Sequence, residues 1–421
     1  MSLSGTVQDQ SSSRIVGSLV VGAIVVAHLA TLWLPFVNQE SAFNAAAHYF
    51  QTGDAAAVQA FFESDANTLV LSAVGSALAR TLGIGTEWGC RLVSLIGFAV
   101  LAAALRAIVA QARLGGWLLP AVILLNPLIW VFAGRGTADF PPLAFAVAAI
   151  AICWRAQGMA MVLTGAAVFA FAAALKYHAV LLLPLIVLAP TDRQSLTFRG
   201  VMLGIVLAIT GIVLAAYNIA VFRAFGFWLT SPKWVTEHGL TARHVFTNIV
   251  HYGGFLALLA MPFSLQSALS QNSPAASGRI VKLAIIGLAA LAGAVLPPSS
   301  GEMNFGPFDR WIGSGVSGVG LAALFAVFVL SLCNKPQRLR DYAMIAAIVL
   351  FVLVLSFSRP AQRYLIFVLP FYVLYLSARI EARRFAGILI AICIAINLVS
   401  AVTQSYFRPA ATDQFGAGRQ W

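Results

Sequence analysis

Four charged side chains in this chain interrupt or border long apolar stretches, and together they offer acid–base chemistry next to a phosphate. Glu40 closes the run Trp33-Leu-Pro-Phe-Val-Asn-Gln-Glu40, and with Asp54, Glu63 and Asp65 it forms an acidic group free of Lys and Arg. Asp139 stands in Gly134-Arg-Gly-Thr-Ala-Asp-Phe-Pro-Pro142, between two apolar stretches. Lys176 breaks a continuous apolar run from Met159 to Ala189, and Arg363-Tyr364 precedes Leu-Ile-Phe-Val-Leu-Pro370. The segment 223–247 adds Glu237, His238 and Arg243. A carboxylate within hydrogen-bond reach of a hydroxyl acts as a general base. Lys neutralises a phosphate as a point charge and Arg grips it with a bidentate fork. Glu237-His238 beside Arg243 suits a pyranose ring and a phosphate.

Each of these residues also has a plainer reading. Glu40 fits a solvated acidic loop. Asp139 fits a cap on the helix that Pro141 begins. Lys176 fits a snorkelling side chain at a span end, and Arg363-Tyr364 fits interfacial anchoring, as the Trp residues of 223–247 fit an aromatic belt. His48, His178 and His251 stand singly, without metal-ligand spacing, and read as hydrogen-bonded packing residues. No phosphate-binding Walker motif or dinucleotide fingerprint is present, and no cluster calls for a metal or cofactor.

The elements that must position these groups are membrane helices. The chain has 421 residues, of which 60% are hydrophobic and 10% charged, with mean hydropathy +0.89. Apolar runs of about 20 residues recur from end to end, the signature of a multi-span protein. The net charge of +12 comes from Lys and Arg scattered at span ends, which excludes a nucleic-acid surface. Cys90, Cys153, Cys333 and Cys393 all lie in apolar runs and read as buried thiols.

The expected fold is all-α and polytopic, with about thirteen spans near 15–36, 90–111, 117–134, 139–155, 158–175, 177–190, 200–222, 248–268, 280–297, 312–333, 341–357, 361–378 and 385–404. Residues 1–14 read as a disordered cytoplasmic tail, 15–404 as one membrane domain, and 405–421 as a short outer tail. Thr68 to Leu82 is short for a span. Counting it as one would move the basic loops outside, against the positive-inside rule, so it is expected to dip in or lie on the outer surface. Residues 37–89 and 223–247 then form two outer-face loops. Within the first, Phe43, Ala46, Ala47 and Phe50 share one face of an amphipathic juxtamembrane helix that Gly53-Asp54 ends.

The order of these features resembles the GT-C membrane glycosyltransferases, especially the branch with protein O-mannosyltransferases and the lipid A aminoarabinose transferase. The similarity rests on Asn38 to Asp54, on Val74-Gly-Ser-Ala-Leu-Ala-Arg-Thr-Leu-Gly83 followed by Arg91-Leu92, on Asp139, on Lys176, and on Arg363-Tyr364-Leu365 with Pro370. It covers about 15–190 and 355–378. One departure is that the family's Asp-Glu pair is here Gln39-Glu40. The resemblance implies a polyprenyl-phosphate sugar donor and a hydroxyl acceptor on a lipid, glycan or protein. It places the enzyme in the plasma membrane with its site on the extracytoplasmic face. Glu40 and Asp139 are then the catalytic acids, Lys176, Arg363, Tyr364 and Arg243 hold the donor phosphate, and Glu237 and His238 hold sugar or acceptor. The short tail leaves the acceptor to the membrane domain or to a partner. The alternatives are a transporter or flippase for a lipid-linked or envelope glycan, and a non-catalytic relative. Charges at span ends on one face favour the interfacial enzyme over the transporter, which should show broken helices at matching places.

Overall fold

The computed structural model describes residues 19, 21–33, 38–54, 56, 58, 61, 68–112, 118–187, 194–226, 242–261, 263–269, 276–295, 314–333, 339–357 and 362–377. Every regular element among them is helical. Two expected site residues, Glu237 and His238, lie outside the described residues, as do Cys393 and the apolar run 385–404.

The helices, in chain order, are α1 (Val21–Ala30), α2 (Asn38–Thr52), α3 (Val70–Leu82), α4 (Thr86–Ala112), α5 (Leu118–Leu124), α6 (Pro127–Ala133), α7 (Phe140–Arg155), α8 (Met159–Leu175), α9 (Leu196–Phe225), α10 (Ala242–Leu259), α11 (Phe263–Leu269), α12 (Ala276–Gly293), α13 (Ser314–Leu332), α14 (Leu339–Ser356) and α15 (Leu369–Ser377). Turns of 3-10 helix follow α1 (Thr31–Trp33) and α8 (Tyr177–Val187), and another precedes α15 (Gln362–Phe367).

Among the described residues two helices are long and apolar enough to cross a membrane, Thr86–Ala110 within α4 and Leu196–Phe225, with a third if α10 and α11, bent by 104°, form one span. The thirteen uninterrupted spans expected from apolarity are therefore not reproduced as such. Two causes are local. Asn126-Pro127 breaks the run 117–134 into α5 and α6, because Pro127 has no N–H to continue the ladder. Pro184 lies inside the 3-10 stretch that replaces the run 177–190. The surface of α9 carries exposed Val201, Leu207, Ile212 and Ile219, and that of α12 carries Ile280, Leu288 and Leu291. Apolar side chains exposed along whole helices are compatible with lipid contact.

The main core runs through α4, α5, α6, α7 and α8 and continues into α10, α14 and α15. A second, smaller core lies at one end. Phe43 and Ala46 of α2 meet Val58, Phe61, Leu69, Leu71 of α3, Val93 of α4, Ala138 and Leu175 there. Phe43, Ala46 and Ala47 are buried as the helical spacing requires, while Phe50 stays 38% exposed. Gly53, at φ 78°, turns the chain out of α2, and Asp54 accepts from Ala56 N. Ser72 donates to Phe43 O and Arg80 to Phe50 O, so α2 lies strapped along α3. With 13 residues α3 is roughly 20 Å long, short of the bilayer's apolar thickness of about 30 Å. Its N-terminus is fixed by Thr68 Oγ1 donating to Leu175 O and by Leu69 N donating to Tyr217 Oη.

Close backbone approach explains two glycines near the site. A Cβ on Gly134 would stand 2.1 Å from Thr31 Oγ1 and 2.6 Å from the Thr31 carbonyl carbon. A Cβ on Gly136 would meet Cys90 Cβ at 2.9 Å. Gly134→Ala is expected to cost more than about 1–3 kcal/mol, because backbone rather than a mobile side chain must yield. Gly158→Ala, with open space around its Cβ, should change stability by less than about 0.5 kcal/mol. Thermal unfolding of the two purified variants checks both, and a Gly134→Ala protein as stable as the control would refute the close packing. Of the cysteines, Cys90 and Cys153 are buried as expected, whereas Cys333, at the end of α13, is exposed.

Candidate functional site

The loop Gly134–Asp139, between α6 and α7, carries two groups of charged side chains. The first is centred on Glu40, in the first turn of α2 and 2% exposed. Arg91 of α4 grips its carboxylate with a fork, Nε to Oε1 at 2.9 Å and Nη2 to Oε2 at 3.1 Å. Arg135 Nη1 donates to Oε2 at 3.4 Å and Gly136 N to Oε1 at 2.8 Å. Four donors thus meet the roughly four acceptor positions that a carboxylate offers. Arg91 Nη1 also donates to Leu32 O, and Ser94 Oγ donates to Arg135 O at 2.6 Å. One carboxylate is shared by two guanidinium groups, so each buried charge of the group faces an opposite one.

The second group is centred on Asp139 and Lys176. Lys176 Nζ lies 2.5 Å from Asp139 Oδ1, and the residues are 4% and 1% exposed. Asp139 occupies the N-cap position of α7 but makes no capping bond. The reason is covalent: the N–H groups a cap engages are those of the second and third helical residues, here Pro141 and Pro142, which have none. The carboxylate faces Lys176 instead. Lys176 ends α8 in extended geometry, and its Nζ lies 4.8 Å from the Tyr364 ring centre. His178 stacks on the same ring, with centroids 4.6 Å apart and planes at 18°. Arg363 lies over Tyr364 at 5.3 Å and acts electrostatically on Asp139 and His178.

Of the residues expected from sequence, Asp139, Lys176, Arg363 and Tyr364 therefore converge. Glu40 is buried one loop away, held by the same six-residue connection. Ala138 and Leu175, the neighbours of Asp139 and Lys176, share the small core with the helix that carries Glu40. The solvated-loop reading of Glu40 is corrected by its burial, and the capping reading of Asp139 by the two prolines. Arg243 stands exposed in the first turn of α10, with no contact to Lys176 among the described residues.

Three further residues matter. Arg91 and Arg135 were legible only as outer-face charges. Their fully buried guanidinium groups supply the counter-ions that the acidic segment itself lacks. His178 is a packing residue through its ring stack, yet its Nδ1 is buried with no hydrogen-bond partner among the described residues, and His48 is exposed. No three His, Cys, Asp or Glu side chains gather as a metal ion would need among the described residues.

A third feature lies where two broken helices meet. Asn126, at the α5–α6 break, donates through Nδ2 to Leu259 O at the α10–α11 break, at 2.8 Å. Its Oδ1 accepts from Leu128 N and caps α6. Comparisons of the chain with models of protein families, with curated proteins and with solved structures find no match.

Proposed function

We propose that the chain is a multi-pass glycosyltransferase of the plasma membrane that moves a sugar from a polyprenyl-phosphate donor to a hydroxyl on the extracytoplasmic side. The observation that carries this reading is the buried Asp139–Lys176 pair with Tyr364 and Arg363 beside it. It combines one carboxylate for a hydroxyl proton with two cations for a phosphate. The reading also retains the spans expected from sequence, with breaks and 3-10 turns inside them.

The chemistry runs as follows. The acceptor oxygen forms a bond to the anomeric carbon as the bond from that carbon to the phosphate oxygen breaks. The electron pair leaves with the polyprenyl phosphate. Positive charge develops on the sugar and negative charge on the leaving phosphate, which Lys176 and Arg363 meet. The acceptor proton passes to Asp139 Oδ. Glu40, expected from sequence to take that proton, has its acceptor positions filled by Arg91, Arg135 and Gly136 N. We therefore give the base role to Asp139 and treat Glu40 as the residue that positions its loop. From the segment 223–247, Glu237 and His238 remain candidates for sugar or acceptor contact and Arg243 for the donor phosphate.

The joined breaks at Asn126 and Leu259 favour a second reading, a carrier of lipid-linked glycan, since discontinuous helices meeting in a bundle suit alternating access. One experiment separates them. Deletion of the gene, followed by mass analysis of envelope glycans and lipids, should reveal a product lacking one sugar. Accumulation of an intact lipid-linked glycan on the cytoplasmic side supports the carrier instead. An unchanged envelope sinks both.

A further inference from the structure

The Asp139–Lys176 pair gives one ammonium two tasks. In the structure Nζ lies 2.5 Å from Asp139 Oδ1, with both side chains buried. A carboxylate so held is a poor proton acceptor, because an adjacent cation favours its charged form. An ammonium so held is a weaker phosphate ligand, because its charge is already met. Resting on the donor reading above, we infer that Lys176 passes from Asp139 to the donor phosphate when the donor binds. The donor must then bind first, and the base is uncovered only once its leaving group is in place.

Two features of the fold support the transfer. Lys176 stands at the end of α8 in extended geometry, and its Nζ is beside the Tyr364 ring as well as Asp139, with Arg363 over that same ring. Once uncovered, the Asp139 carboxylate is not captured by its own helix, since Pro141 and Pro142 offer no N–H. An Asp before an ordinary helix would fall back into a cap. Here it stays available to the acceptor hydroxyl. No covalent bond changes in this step: Nζ keeps its three protons and exchanges one anionic partner for another. After transfer, departure of polyprenyl phosphate returns Lys176 to Asp139 as the carboxyl proton leaves to solvent.

The test uses the full chain in lipid nanodiscs and undecaprenyl phosphate without a sugar, with undecaprenol as the control for the tail. Asp139→Asn abolishes the competing carboxylate, so it should bind undecaprenyl phosphate about tenfold or more tightly than the wild type, a buried unpaired ammonium being costly. Its thermal midpoint should also rise more on lipid addition. Equal or weaker binding by Asp139→Asn overturns the inference. Failure of the wild type to prefer undecaprenyl phosphate over undecaprenol sinks the donor reading itself. A second measurement needs no Asp139 variant. In wild-type protein with isotope-labelled aspartate, saturating undecaprenyl phosphate should shift a carboxylate stretching band in the infrared, as Lys176→Met does without lipid. A band that does not move also overturns the transfer.

Discussion

Glu40→Ala should leave a protein that barely folds, because truncating one partner of a buried ionic cluster costs about 3–5 kcal/mol. Arg91 and Arg135, at 2% and 0% exposure, would lose their shared counter-ion. Gly136 N would lose its acceptor, so the loop that carries Asp139 would be released along with α2. Glu40→Gln keeps the shape and one acceptor oxygen, yet it turns an NH2 group toward guanidinium donors. Its midpoint should therefore fall as well, by less than for alanine. The measurement is thermal unfolding of both variants, with turnover expressed per folded molecule. A Glu40→Gln protein that melts like the wild type but has lost turnover would return the base role to Glu40. That outcome would show that donor saturation at the carboxylate is no bar to proton transfer.

Asp139→Asn should reduce turnover by about 10²–10⁴, the usual scale for a general base, while donor lipid still binds. Lys176→Met should do the opposite in binding: removing a charge-assisted bond to phosphate weakens donor affinity by about ten- to hundredfold. The two variants are distinguished by measuring turnover and donor affinity together, with purified protein and a polyprenyl-phosphate sugar. Normal turnover by Asp139→Asn would remove the carboxylate from the mechanism. Unchanged donor affinity in Lys176→Met would remove the ammonium from the phosphate site.

Much of this site was legible in the sequence because its members interrupt apolar runs, where charge is expensive. Asp139, Lys176 and Arg363 stand out for that reason. The capping reading of Asp139 overlooked that Phe140-Pro-Pro142 denies a cap its donors. The clamp on Glu40 was not. Its partners stand 51 and 95 residues away, and nothing local in Cys90-Arg91 or Gly134-Arg-Gly136 names the acid they hold. The helix α2 followed from its apolar spacing. The interruption at Asn126 carried a turn signal in its Asn-Pro dipeptide, but an apolar window passed over it. The 104° bend between α10 and α11 was marked as well, by Pro262 between Met261 and Phe263, and the apolar window 248–268 passed over it too.

The spacing of the clamp also bears on how the chain is made. Glu40 leaves the ribosome 95 residues before Arg135. At ordinary rates of synthesis that interval is roughly 5–20 seconds. Through it the acid has at most one of its two guanidinium partners, so the clamp that seats α2 stays incomplete until the loop arrives. Seating of α2 is then a late event in biogenesis, and nascent chains arrested before Arg135 should leave that helix open to protease.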